Sequence, residues 1–158
     1  MVSYKFCNKN TLAHYSLHDC VCSRMFFDGC NIVLDMEWME VLSGHPNNPC
    51  NKAHQSTEGR IILERPSLDK CTLIPWDGEE RPSRELSLEE IDVRDFQVLS
   101  FDEEAEPNGY KLMLYGELHD NPRDAEYDFI EMVVHYSSSQ DMFNELAGES
   151  WFENEPFK

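Results

Sequence analysis

Apolar and polar side chains alternate with a period of two along most of the hydrophobic stretches of this chain, the spacing of strands that bury one face. In residues 31–38, Ile32, Leu34, Met36 and Trp38 alternate with Asn31, Val33, Asp35 and Glu37. Residues 17–27 carry apolar groups in both phases, with Cys20, Cys22 and Phe26 on one side and Leu17, Val21, Met25 and Phe27 on the other, which suits a central strand. Asp28-Gly29 supplies the positive φ angles of a tight turn, so residues 17–38 predict a β-hairpin. Residues 59–64 and 71–76 read as short strands separated by a break at 65–69. Residues 93–101, 110–118 and 127–136 read as extended, with Ile130, Met132, Val134 and Tyr136 on one face of the last. The turns between them are too short for parallel crossovers, which predicts an antiparallel meander over 93–136.

Helical signals are few. Ser87-Leu88-Glu89-Glu90 has the form of a capping box, followed at once by extended sequence. Residues 140–147 carry Met142, Phe143 and Leu146 at helical spacing and stop at Gly148, which predicts one short C-terminal helix. Residues 43–57, with two prolines and three asparagines, and the polar stretch 77–86 read as long loops, and 153–158 is a tail free to fray. The expected fold is a mainly β single domain over 1–158: one antiparallel sheet or a sandwich, with an N-terminal hairpin, the meander and the C-terminal helix. An α+β arrangement is the alternative.

Charge changes the picture more than composition does. A 41% hydrophobic share is that of a chain able to fill a core, and 158 residues suit one domain. The net charge of −18 is unevenly placed: residues 1–94 carry 15 acids and 10 bases, whereas 95–158 carry 16 acids against only Lys111, Arg123 and Lys158. Such a surface repels phosphate backbones and anionic membranes and attracts a basic protein. The opening residues lack the unbroken apolar core of a signal peptide, and no apolar run approaches the length of a bilayer span, so the expected compartment is the cytoplasm. Cys7, Cys20, Cys22, Cys30, Cys50 and Cys71 then read as reduced thiols.

Candidate chemistry is thin. His18-x-Cys20-x-Cys22 puts three zinc-type ligands on one strand face, but same-face neighbours diverge, and the cysteines read better as small core residues. His45, Cys50 and His54 offer a second candidate zinc set, one that a plain exposed loop explains equally. Glu117-Leu118-His119-Asp120 gathers titratable groups at a strand end beside Asn121-Pro122, the setting of a solvated turn. No nucleophile elbow, papain-like cysteine context or glycine-rich phosphate loop occurs, and no residue is assigned a catalytic role.

Ser16-Leu17-His18-Asp19-Cys20, continuing into Phe27-Asp28-Gly29 and a second apolar strand, resembles the opening of a family of small, uncharacterised bacterial proteins with a Leu-His-Asp-Cys signature. The resemblance spans about a fifth of the chain and departs at Cys22 and at the 43–57 loop. It implies an antiparallel β-rich domain, and some similar proteins are immunity proteins of toxin systems. His18 and Asp19 would face opposite sides at the sheet margin and bond backbone or loop groups. The expected function is non-enzymatic binding of a basic protein through an acidic surface, immunity-protein-like, with Tyr115, Tyr127 and Trp151 as aromatic anchors. The rival expectation is a metal-dependent hydrolase, or another metal-binding protein, using the histidines and cysteines of the N-terminal half.

Overall fold

The Asp28-Gly29 turn forms as the sequence predicts. Gly29 sits at φ +101°, and the Asp28 carboxylate accepts hydrogen bonds from the backbone N–H groups of Cys30 and Asn31 at 2.9 and 2.7 Å. The computed structural model describes residues 3–76, 81–118 and 127–154. Its strands are β1 (Phe6–Lys9), β2 (Tyr15–Ser16), β3 (Val21–Phe27), β4 (Asn31–Met36), β5 (Glu40–Val41), β6 (His54–Ser56) and β7 (Gly59–Glu64). They continue with β8 (Ser67–Ile74), β9 (Arg84–Glu85), β10 (Asp92–Glu106), β11 (Gly109–Leu118), β12 (Phe129–Tyr136), β13 (Ser138–Phe143) and β14 (Leu146–Glu149). Among the described residues, helix is confined to single 3-10 turns at Leu12–His14, Leu88–Glu90 and Trp151–Asn154. The fold is mainly β, with every strand pairing antiparallel.

Ten strands form one sheet in the order β1-β13-β7-β4-β3-β10-β11-β12-β8-β9, and β14-β6-β5-β2 form a second. The large sheet cannot be flat. Strands β7 and β8 stand six places apart, about 29 Å in a flat sheet, yet only Arg65-Pro66 joins them, a link that spans about 10 Å. Ser137 alone joins β12 to β13, again six places apart, and its N–H bonds the Glu64 carbonyl at 2.9 Å. The sheet therefore curls into two packed halves that meet at this corner, where Arg65 takes φ +53°. Ile32, Leu34, Ile61 and Leu63 from one half meet Leu112, Leu114, Ile130 and Met132 from the other in a single buried cluster. The second sheet adds Tyr15 and Val41 to the same core.

The meander forms as β10-β11-β12, with Ser87-to-Glu90 capping the 3-10 turn before it. Strand β3 is central, and its apolar residues in both phases have a local cause. Its register against β4 shifts between Cys22 and Arg24, so Cys22 and Met25 both point inward. Leu17 to Cys20 do not extend that strand; Asp19 at φ +69° and a Cys20 N–H bond to the Leu17 carbonyl close a turn there.

The expected helix at 140–147 is instead strand β13 followed by strand β14. Strand β13 lies between β1 and β7 and buries Ser139, Asp141 and Phe143 on its inner phase. Two polar residues on the buried side hide the alternation, while Met142, Phe143 and Leu146 satisfy helical spacing by coincidence. The expected loop at 43–57 is tied down: buried Asn48 donates to the Val41, Leu42 and Lys52 carbonyls and accepts from the Cys50 N–H, and residues 54–56 pair as β6. Residues 77–80 of the second expected loop, and 155–158 of the tail, lie outside the described residues. No described helix is long and apolar enough to cross a membrane.

Candidate partner-binding face

Alternation gives each strand of the meander a second side. On β12, Phe129, Glu131, Val133 and His135 point away from the core that holds Ile130, Met132, Val134 and Tyr136. Met113 and Tyr115 do the same on β11. On β10 a register shift between Val98 and Ser100 turns Ser100 and Asp102 to this side. The register then lays out two rows: Ser100, Tyr115 and Glu131 in one, Asp102, Met113 and Val133 in the other. These six residues line a groove of about 380 Å³.

An aromatic row crosses the same face. Trp76, at the end of β8, stacks on Phe129 at 6.0 Å between ring centroids, and Phe129 stacks on Tyr115 at 5.6 Å with planes 15° apart. The Asp128 carboxylate fixes the base of the row by accepting the Trp76 N–H at 2.7 Å. Trp76 is nevertheless 77% exposed and Met113 38% exposed, two of the three large hydrophobic side chains most open to solvent among the described residues.

The charges around the row are acidic. Asp102 and Glu104 are exposed, and no cation pairs with Asp102 among the described residues. Glu131 holds Lys70 at 2.6 Å, a hydrogen bond that raises the lysine pKa. Burial pushes the Tyr115 phenol up, and the charges of Glu131 and Glu117 add to it. His135 lies between Asp69 at 2.8 Å on Nε2 and Glu106 at 2.5 Å on Nδ1. Both ring nitrogens must donate to carboxylates, so the imidazolium is favoured and the pKa rises, through Asp69 first and Glu106 second. Not every acid of residues 95–158 gathers here. Glu103 turns inward to the Tyr136 hydroxyl, Asp141 is buried, and Glu145, Glu149 and Glu153 lie beside the second sheet.

The structure separates the expected anchors. Tyr115 stands in the row. Tyr127 packs partly buried against the core, and Trp151, 51% exposed, sits edge-on to Phe152 in the last 3-10 turn, whose Glu153 carboxylate accepts the Ala53 N–H. Trp76 and Phe129 went unassigned in the sequence reading. The signal for Phe129 was present, because Phe129 and Val133 fall on the nominally polar phase of β12. Trp76 meets its partner 53 residues away in sequence, beyond any periodicity.

The candidate metal ligands do not converge. His45 is buried, accepting the Asn47 N–H on Nδ1 at 3.0 Å. A backbone N–H can only donate, so Nε2 carries the proton and meets Asp141 at 3.1 Å and the Tyr15 hydroxyl oxygen at 2.9 Å. Tyr15 and Thr11 also donate to Asp141, and burial followed by the Asp141 charge raises the Tyr15 pKa. Cys50 is exposed, and His54 turns Nδ1 to the Lys52 carbonyl. Cys20 and Cys22 are core residues as the alternative reading has it; burial pushes the Cys20 thiol up to about 12 and raises that of Cys22, away from the thiolate a metal needs. Among the described residues no three His, Cys, Asp or Glu side chains are placed to hold a metal ion.

His18 and Asp19 share a turn rather than opposite strand faces. His18 donates from Nδ1 to the Leu99 carbonyl at 2.7 Å and approaches Asp19 at 3.5 Å, while Asp19 accepts from Gln97 at 3.1 Å. Both therefore clasp the β10 bulge, the margin role the sequence suggests. His119 and Asp120 of the Glu117-to-Asp120 cluster lie outside the described residues. No family model matches the chain, no curated protein matches its sequence, and no solved structure matches it.

Proposed function

We propose that the protein is a non-enzymatic binding module that engages a basic protein through the outer face of β8, β10, β11 and β12. The observation that carries this reading is the stacked Trp76-Phe129-Tyr115 row, with Trp76 exposed and Phe129 and Tyr115 half-buried, amid Asp102, Glu104, Glu117 and Glu131. Exposed aromatics supply contact area at low entropic cost, and surrounding carboxylates steer a cationic partner and set its orientation. Neutralisation of a cationic toxin, in the manner of an immunity protein, is the concrete form of the proposal.

The test begins with capture of a partner on immobilised protein and continues with titration of that partner in pure form. Affinity should fall at least tenfold between about 0.05 and 0.5 M salt, because exposed charges are screened within roughly a Debye length. Trp76→Ala should weaken binding at either salt concentration. A partner held equally at both, or indifferent to Trp76→Ala, overturns the reading.

A further inference from the structure

Stacked rings present two faces each, and the row on the outer sheet stops at Tyr115. Phe129 covers one side of the Tyr115 ring and takes no part in lining the groove, whereas Tyr115 lines it together with Ser100 and Asp102 of the next strand, β10. A fourth plane laid there would continue the stack. Around that position the sheet supplies Met113 and Val133 as an apolar floor and Asp102 as an exposed carboxylate. Glu131, on the far side, is already held by Lys70, so Asp102 is the countercharge still available.

We propose that this groove seats one arginine side chain of the basic partner, its guanidinium stacking on Tyr115 with Asp102 as countercharge. The proposal rests on the reading above and narrows it to a side-chain class. A guanidinium is planar, delocalised and weakly hydrated, so it can stack on a ring and bond a carboxylate in its own plane at once. A lysine ammonium is a compact, strongly hydrated charge that cannot continue a stack of planes. The aliphatic stem of the arginine would lie along Met113 and Val133.

Calorimetric titration of the full chain with capped tetra-arginine and tetra-lysine peptides, at equal ionic strength, tests this. The two probes carry the same charge, so a general acidic surface binds them alike. The expected result is an arginine peptide about fivefold tighter, the scale of an exposed cation–π contact. Tyr115→Leu and, separately, Asp102→Asn should each lower arginine-peptide affinity to the lysine-peptide level, whereas Tyr115→Phe should keep the preference. Asp102→Asn changes an exposed side chain, so it decides the matter if Tyr115→Leu does not fold. Equal binding of the two peptides, or a preference untouched by both variants, overturns the arginine seat and leaves the basic-partner reading standing. Failure of both peptides to bind at low salt overturns the two together.

Discussion

The two halves of the curled sheet turn very different outer faces to solvent. On β1, β3, β4, β7 and the first residues of β10 the charges are matched: Asp92 lies between Arg24 at 3.1 Å and Arg94 at 3.6 Å, Arg60 bonds Asp35 at 2.7 Å, and Lys9 reaches Glu64 at 4.0 Å. On the same face the Phe26 ring lies under the Arg24 guanidinium at 4.0 Å. On β8, β11 and β12 the rings stack on each other instead, Tyr115 lines a groove, and among the described residues no cation pairs with Asp102 of β10. A face that satisfies its own charges presents little for a partner to complete. Among the described residues the opposite face leaves a carboxylate without a cation beside an aromatic row, and that difference, rather than net charge, is the ground for proposing it as the binding side.

The core beneath both faces sets the largest expected effect. Asp141 accepts from Thr11, Tyr15 and His45 with no exposure to solvent. Asp141→Ala leaves the buried Tyr15 hydroxyl and the half-buried Thr11 hydroxyl without their acceptor and takes one from His45, and should cost about 3 kcal/mol or more, read by denaturant unfolding. A loss below about 1 kcal/mol would show that the interior does not depend on this carboxylate. On the proposed binding face, Trp76→Ala should weaken partner binding by about 2 kcal/mol, roughly thirtyfold, with unfolding midpoint nearly unchanged. The matched face should behave in the opposite way: Arg60→Ala should cost about 0.5–1 kcal/mol of stability and leave binding intact.

The smallest effect is a pH dependence confined to the acidic face. The His135 pKa is raised in the folded protein from its ordinary 6.5 by Asp69 and Glu106. A raised value means that the folded state holds the proton more tightly than the unfolded chain. The stabilisation is therefore complete below pH 6.5 and is lost as pH climbs through the folded value above it. His135→Gln should flatten the thermal-midpoint profile across that window. An unchanged profile would assign the pH dependence elsewhere.

Much of the framework is legible in the sequence because it follows from local alternation. The β3–β4 hairpin is written in Ile32, Leu34, Met36 and Asp28-Gly29, and the meander in the even-numbered residues of β12. The pattern fails where burial and polarity part company. Strand β13 hides behind Ser139 and Asp141, and the 43–57 stretch conceals the buried His45, whose partner Asp141 is chosen by the tertiary fold, and the buried Asn48, whose bonds to nearby backbone groups leave no periodic trace. Strand β3 obscures its face through a register shift that no period records. The proposed binding face is half visible in the sequence: Tyr115 and the charge asymmetry can be read directly, whereas the row depends on β8 docking beside β12, a pairing that periodicity cannot supply. Tyr127 and Trp151 stand apart from that row, one packed partly buried against the core and the other in the last 3-10 turn, a separation that composition does not reveal.

The most direct measurement is a map of amide and methyl chemical-shift changes in the full chain on addition of a polycationic peptide at low salt. The account predicts that the largest changes fall on Met113, Tyr115, Val133 and the Trp76 indole, and that they disappear at high salt. Changes centred on Arg24, Asp35 and Arg60, or spread evenly over both faces, would contradict it.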